Sequence, residues 1–261
     1  MRTIKLVLAY DGSAYAGWQS QLGQPTLQDA LERAIQKVTG ETIRVVASGR
    51  TDAGVHALGQ VVSFYSQSAL PASVLERALN AELPRDMNVL SAVDARPEFN
   101  ARQDAVRKRY RYVIHDGRLP DLFARHYSWH CRTRLDVPAM QRAAKPLVGR
   151  HDFASFETSG SPRETTVRTV SDLTIARDAV NGDQVIVEIE ANGFLYNMVR
   201  TIVGTLVEVG RGAQPEEFVG EALTAVDRRR AGPTAPGHGL FLLSVEYPPD
   251  TACESPTSSR D

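Results

Sequence analysis

The sequence predicts an α+β protein built from two ferredoxin-like halves, each a βαββαβ unit with an antiparallel sheet and helices on one face, the sheets framing a central cleft. Three observations predict it. Apolar periodicities follow the order β-α-β-β-α-β over residues 1–105 and again, with one extra helix, over 106–247. Asn181-Gly182 separates two strand-like runs as a hairpin turn signal. A chain of 261 residues, 42% hydrophobic and 23% charged, can bury a sizeable core in one or two domains.

In the first half, Ile4, Leu6, Leu8 and Tyr10 alternate with Lys5, Val7 and Ala9, the pattern of a strand buried on one face. A polar, glycine-containing loop with Tyr15 and Trp18 follows over 11–24. Thr26 is placed to N-cap a helix whose Leu27, Ala30, Leu31, Ala34, Ile35 and Val38 recur at helical spacing until Gly40 stops it. Strands are expected near 43–47 and 60–64, a helix over 73–82 ended by Leu83-Pro84, and a strand over 89–93.

The second half opens with a strand over 108–114, so the boundary falls near 102–107. A helix over 138–148 and strands over 166–175 and 184–190 follow. Leu195, Met198, Val199, Ile202, Val203, Leu206 and Val209 form the apolar stripe of a helix over 194–209. The additional helix lies near 216–226, and a strand over 240–246 closes the set. From Pro248 to residue 261 the chain is rich in Pro, Ser and Thr, the composition of a disordered tail.

Composition excludes several function classes. No apolar run reaches membrane-spanning length, and the run 4–9 is too short for a signal h-region, so a cytoplasmic protein without membrane partners is expected. Cys131 and Cys253 stand far apart without CxxC spacing, and His126 and His130 lack the HExxH pattern, so neither a disulfide framework nor a metal site is expected. A net charge of −1 argues against a globally basic nucleic-acid coat. Within that balance 26 of the 30 basic residues are arginine, whose planar fork suits phosphate and base contacts; GC-rich coding bias produces the same excess.

One stretch concentrates chemistry: Ala47-Ser48-Gly49-Arg50-Thr51-Asp52-Ala53-Gly54-Val55-His56-Ala57. Asp and Gly are ordinary turn residues, and an Asp after a strand bonds nearby amides. The combination argues for a site. Gly49 and Gly54 allow close backbone approach to a ligand, and Arg50 is expected to lower the pKa of Asp52, a candidate nucleophile or base.

Arg200 is the second anomaly, because it borders the apolar stripe of its helix and a desolvated guanidinium needs an anionic partner. Asp52 is the partner we expect; a structural ion pair elsewhere, or a snorkelling side chain, is the alternative. Tyr110, Tyr112 and Ile114 project to one side of their strand, and Arg107, Arg109 and Arg111 to the other. Successive arginines on that side stand about 6.6 Å apart, near the phosphate spacing of a nucleic-acid strand. A solvated face with aromatics in the core explains the alternation equally well.

Taken together these residues resemble the tRNA pseudouridine synthases of the TruA family. The resemblance spans residues 1–247 and rests on Tyr10-Asp11-Gly12 with Gly17-Trp18-Gln19, the stretch 48–57, Phe99-Asn100-Ala101-Arg102, Arg109-Tyr110-Arg111-Tyr112, Phe194-Leu195-Tyr196-Asn197-Met198-Val199-Arg200, and Ala231-Gly232-Pro233-Thr234-Ala235-Pro236 with Gly239-Leu240. It implies a cofactor-independent homodimeric enzyme with a positively charged cleft, converting uridine to pseudouridine at nucleotides 38, 39 and 40 of the tRNA anticodon stem-loop. By motif position, Asp52 is the nucleophile, Tyr110 packs on the target uracil and Arg200 partners the Asp. Arg50 helps displace the base, Leu240 lines the uracil pocket, and Arg107, Arg109 and Arg111 are candidate RNA contacts.

On the residues alone two rivals stay open. A non-catalytic RNA-binding protein of two RRM-like units has the same element order but would carry an RNP signature that is missing here. An enzyme acting on a small phosphorylated metabolite would carry P-loop or Rossmann spacing, also missing.

Overall fold

The computed structural model describes residues 1–158 and 165–249. Alternation sets the first strand, β1 (Arg2–Tyr10), whose Ile4, Leu6, Leu8 and Tyr10 join the main core while Val7 and Lys5 face the other way. The helix α1 (Leu27–Thr39) begins where Thr26 accepts a hydrogen bond from the Asp29 N–H and ends where Gly40 takes φ +75°, as its sequence predicts. Then come β2 (Val46–Ala47), β3 (His56–Ser66), α2 (Ala72–Glu82) and β4 (Met87–Ala95). The later elements are β5 (Arg107–His115), β6 (Trp129–His130), α3 (Val137–Ala144), β7 (Gly149–Asp152), β8 (Val167–Arg177), β9 (Gln184–Ala191), α4 (Met198–Gly210), α5 (Phe218–Ala225) and β10 (Leu240–Glu246).

Among the described residues the strands form one ten-stranded sheet in the order β4-β1-β3-β10-β5-β9-β8-β7, with β2 on β3 and β6 on β5. The sequence suggests two separate antiparallel sheets. Instead β3 and β10 pair in parallel, Phe241 opposite His56 and Leu242 opposite Ala57, and fuse the sheets across the middle of the molecule. Left apart, two facing edges would expose unpaired N–H and C=O groups, which this pairing satisfies. A single core cluster joins one face of the sheet to residues from all five helices. On the opposite face Val61, Ala95, Phe99 and Ala101 form a small second cluster.

Other departures from expectation have local causes. The helix expected over 138–148 stops at Ala144 and continues as a 3-10 turn, Lys145–Leu147, because Pro146 offers no N–H and its ring clashes with the preceding turn. The strand β7 escapes sequence reading because Gly149-Arg150-His151-Asp152 has no apolar alternation, yet it pairs with β8. Only Val46 and Ala47 of the expected 43–47 strand pair with β3, since the Val45 N–H is bonded to the Glu32 carboxylate at 3.1 Å. The expected helix start at 194 moves to Met198, after Asn197 at φ +61°. The tail reading falls outside the described residues from 250 onward. Among the described residues no helix is long and apolar enough to cross a membrane.

Candidate active site

The parallel seam of the sheet positions the site. The loop 48–55 leads directly into β3, Leu240 opens β10, and Tyr110 lies in β5 on the far side of β10, so strand order brings three sequence-distant segments side by side. Together with the start of α4 they line a cavity of about 890 Å³, which contains Asp52, Arg50, Tyr110, Arg200 and Leu240.

A buried polar frame holds the loop from below. Gln60, on β3 and fully buried, donates from Nε2 to the Gly49 carbonyl at 3.0 Å and to Tyr10 Oη at 3.3 Å, and accepts from Ser48 Oγ at 2.7 Å. Tyr10 Oη and Thr51 Oγ1 are 2.8 Å apart, and the Trp18 N–H donates to the Thr51 carbonyl at 2.9 Å. Lys108 Nζ donates to the Ser48 carbonyl at 2.5 Å. Burial pushes the Tyr10 hydroxyl up to about 12, against the pull of its bonds to Thr51 and Gln60, so it stays a neutral donor. Gly12 lets the 11–18 loop pack on this frame: a Cβ there would lie 2.0 Å from the Val55 carbonyl oxygen. Gly54 takes φ +74° in the turn after Asp52, and Gly49 faces Lys108 Nζ, so both glycines serve protein neighbours.

Asp52 is partly buried, and Arg200 Nη1 lies 3.1 Å from its Oδ2. The guanidinium is fixed on two further sides, by Nε donating to the Ala235 carbonyl at 2.7 Å and Nη1 to Asn197 Oδ1 at 2.8 Å. Burial dominates the Asp52 carboxyl and pushes it above the ordinary value of 3.8, and Arg200 opposes that rise by its charge and hydrogen bond without cancelling it. The expectation that neighbouring guanidiniums hold this pKa low is therefore corrected: loss of water outweighs the ion pair.

Tyr110 is buried and stands edge-on to Phe194, ring centroids 5.1 Å apart. Burial raises its hydroxyl, with the nearby Tyr10 and Asp52 adding to the rise, so the ring presents a neutral face. Arg50 lines the cavity without a hydrogen bond or ion pair among the described residues. Arg102, Lys108 and Arg168 also line it, and Asp52 is the only carboxylate among the described lining residues.

Arg107, Arg109 and Arg111 are not brought into this cavity. They lie on the opposite face of the sheet, where Arg109 pairs with Glu190 at 3.0 Å and Asp172 at 3.0 Å, Arg111 with Glu188 at 2.6 Å, and Arg107 with Glu246 at 3.1 Å. Acidic partners at 188 and 190 alternate on β9 just as the arginines do on β5, a register signal that only the strand pairing reveals. His56, the last polar residue of the motif, is buried away from the cavity, stacked on Phe241 and 3.1 Å from Asp11 Oδ1. Sequence reading gave no role to Gln60, to Asn197 or to the Ala235 carbonyl, although Asn197 and Ala235 stand in the motifs of the resemblance; a Gln within the apolar run of β3 was the signal for the first.

Comparison with known proteins adds to this geometry. A family model described as tRNA pseudouridine synthase matches residues 6–104 and 143–248. The chain is 49% identical over 249 residues to tRNA pseudouridine synthase A of Moorella thermoacetica and 47% identical over 247 residues to that of Thermoanaerobacter sp. (strain X514), covering 95% of this chain and all of each relative. It is 44% identical over 264 residues to tRNA pseudouridine synthase A of Limosilactobacillus fermentum, covering both chains in full.

Proposed function

The chain belongs to the tRNA pseudouridine synthase family, and from this premise we propose that it acts at nucleotides 38, 39 and 40 of the tRNA anticodon stem-loop with Asp52 as its catalytic carboxylate. Family membership makes it an isomerase that converts uridine in tRNA to pseudouridine. The observation that carries the residue assignment is Asp52 itself, held by Arg200 in a cavity whose other charged lining residues, among those described, are Arg50, Arg102, Lys108 and Arg168.

The reaction breaks the N1–C1′ bond, turns the uracil and forms a C5–C1′ bond, after which the C5 proton leaves and N1 ends protonated. The target base must first leave the stack, at a cost of a few kcal/mol. Basic side chains around the cavity offset the phosphate charge that enters with the nucleotide, and Arg50 takes the place vacated by the base. The ionised Asp52 either attacks C1′ or removes the C2′ proton on the way to a glycal; both routes need the carboxylate close to the sugar. Tyr110 and Leu240 form apolar walls that keep the detached uracil near C1′ while it turns.

The finer features belong to the same reading. The strand orders β4-β1-β3-β2 and β10-β5-β9-β8 support two ferredoxin-like halves, at 1–105 and 106–247. We place the enzyme in the cytoplasm as a homodimer, which sedimentation at working concentration tests. The activity test is tritium release from a tRNA transcript labelled at uracil C5, with wild type beside Asp52→Asn. Release by wild type and none by the variant, with tRNA binding kept, is expected. More than a few per cent of activity in the variant would overturn the role of Asp52.

A further inference from the structure

We propose that Asn197 is a positioning residue for this reaction: its side-chain carbonyl sets the plane of the Arg200 guanidinium and thereby aims one Nη1 hydrogen at Asp52. The proposal rests on the reading of Asp52 as the catalytic carboxylate.

Arg200 reaches Asp52 through Nη1 alone in the hydrogen-bond network, at 3.1 Å. Its Nε–H is held by the Ala235 carbonyl, which leaves the guanidinium plane free to pivot about that N–H···O line. A second acceptor on the same plane fixes it, and Asn197 Oδ1 is that acceptor, 2.8 Å from Nη1. Nη1 carries two hydrogens in the plane, about 120° apart in an sp² nitrogen. With one hydrogen on Asn197, the other points at Asp52 Oδ2. The Asn carboxamide is itself oriented, because its Nδ2 donates to Thr158 Oγ1 at 3.0 Å.

The local backbone shows what Asn197 forgoes for this. It is the N-cap residue of α4, a position where an Asn side chain ordinarily accepts from the N–H two or three residues on. Here it makes no capping bond, and its backbone stands at φ +61° instead of the extended conformation usual for a cap. The left-handed turn aims the side chain at Arg200, three residues later. Asn tolerates this region better than most side chains, and residues held there cluster at functional sites.

Asn197→Gly separates positioning from folding. Glycine adopts the positive φ without strain, and no capping bond exists to be lost, so thermal stability should stay within a few degrees of wild type. We expect kcat to fall on the order of tenfold to a hundredfold, with KM for tRNA within about twofold, as for a catalytic group set slightly out of line. Thr158→Val, which frees the carboxamide without touching Arg200, should lower kcat in the same sense by a smaller factor, and it carries the test if Asn197→Gly does not fold. An unchanged kcat, or a loss that appears only in KM or stability, overturns the proposal. Asp52→Asn run alongside separates the two failures: if it is inactive while Asn197→Gly turns over normally, only the positioning role is lost; if it is active, the Asp52 reading itself fails.

Discussion

Arg200 and Asp52 stand 148 residues apart in sequence and 3.1 Å apart in space, one at the start of α4 and the other in the loop before β3. Their contact crosses the seam where β3 and β10 pair, so the joining of the two sheets and the assembly of the site are the same structural event. Buried neighbours and fixed acceptors give the pair one geometry, where an exposed ion pair would have many.

The balance between burial and ion pairing at Asp52 should be visible in the pH profile. Its carboxyl is raised above 3.8 by burial and pulled back by Arg200, and the role proposed for it is that of the ionised form. Turnover is therefore expected to be lost as pH falls through the raised pKa, an acid limb above that of a free Asp. Arg200→Met removes the influence that opposes burial, so the limb of kcat should move to higher pH as well as kcat falling. Tritium release measured across pH with saturating tRNA checks this; an unmoved limb would show that another group controls it.

The frame under the loop should matter for stability as well as rate. Gln60→Leu strips partners from Ser48 Oγ, Tyr10 Oη and the Gly49 carbonyl in a buried region. Tyr10 Oη keeps Thr51 Oγ1, so two groups are orphaned; each costs about 1–3 kcal/mol, and a loss of roughly 2 kcal/mol or more is expected. The midpoint of urea unfolding reports it, and kcat should fall in parallel because the same groups hold residues 48–51. A variant with a wild-type midpoint would mean the loop does not depend on this frame.

Close approach of the 233–235 segment to α4 makes Gly204 a sensitive position. A Cβ there would lie 1.8 Å from the Pro233 carbonyl oxygen, so Gly204→Ala must displace the segment whose Ala235 carbonyl holds Arg200. Overpacking of this kind costs about 1–3 kcal/mol, and a drop in melting temperature together with kcat is expected. Gly182→Ala, whose Cβ meets nothing within 4 Å, is the neutral comparison.

The two groups of arginines should separate in RNA binding. Arg50 lines the cavity without an ion pair among the described residues, whereas Arg111 is engaged by Glu188 on the opposite face. Arg50→Ala is expected to weaken tRNA binding and to flatten its dependence on salt, because a cation is removed from among the phosphates. Arg111→Ala should leave both unchanged. Filter binding across a salt series decides, and equal effects would return the β5 arginines to the RNA surface.

Much of the frame is written locally. The alternation of Ile4, Leu6, Leu8 and Tyr10, the Thr26 cap with Gly40, and the apolar stripe of α4 each declare an element within a few residues, because strand and helix periodicities depend only on which side chains recur on one face. The chemical density of 48–56 marks the loop in the same way. Where the reading went astray the cause was again local and physical: Pro146 cutting a helix, Asn197 delaying another, and a polar β7 with no alternation to betray it.

The sequence by itself determined the order of the longer strands and helices, the loop carrying Asp52 and the family, all of which reside in runs of neighbouring residues. Only the tertiary structure decided that β3 pairs with β10, that Arg200 held by Asn197 and Ala235 meets Asp52, that burial overrides this ion pair in setting the Asp52 pKa, and that the β5 arginines face Glu188 and Glu190. These depend on strand register and on how much water the assembled walls exclude, and both arise when distant segments come together.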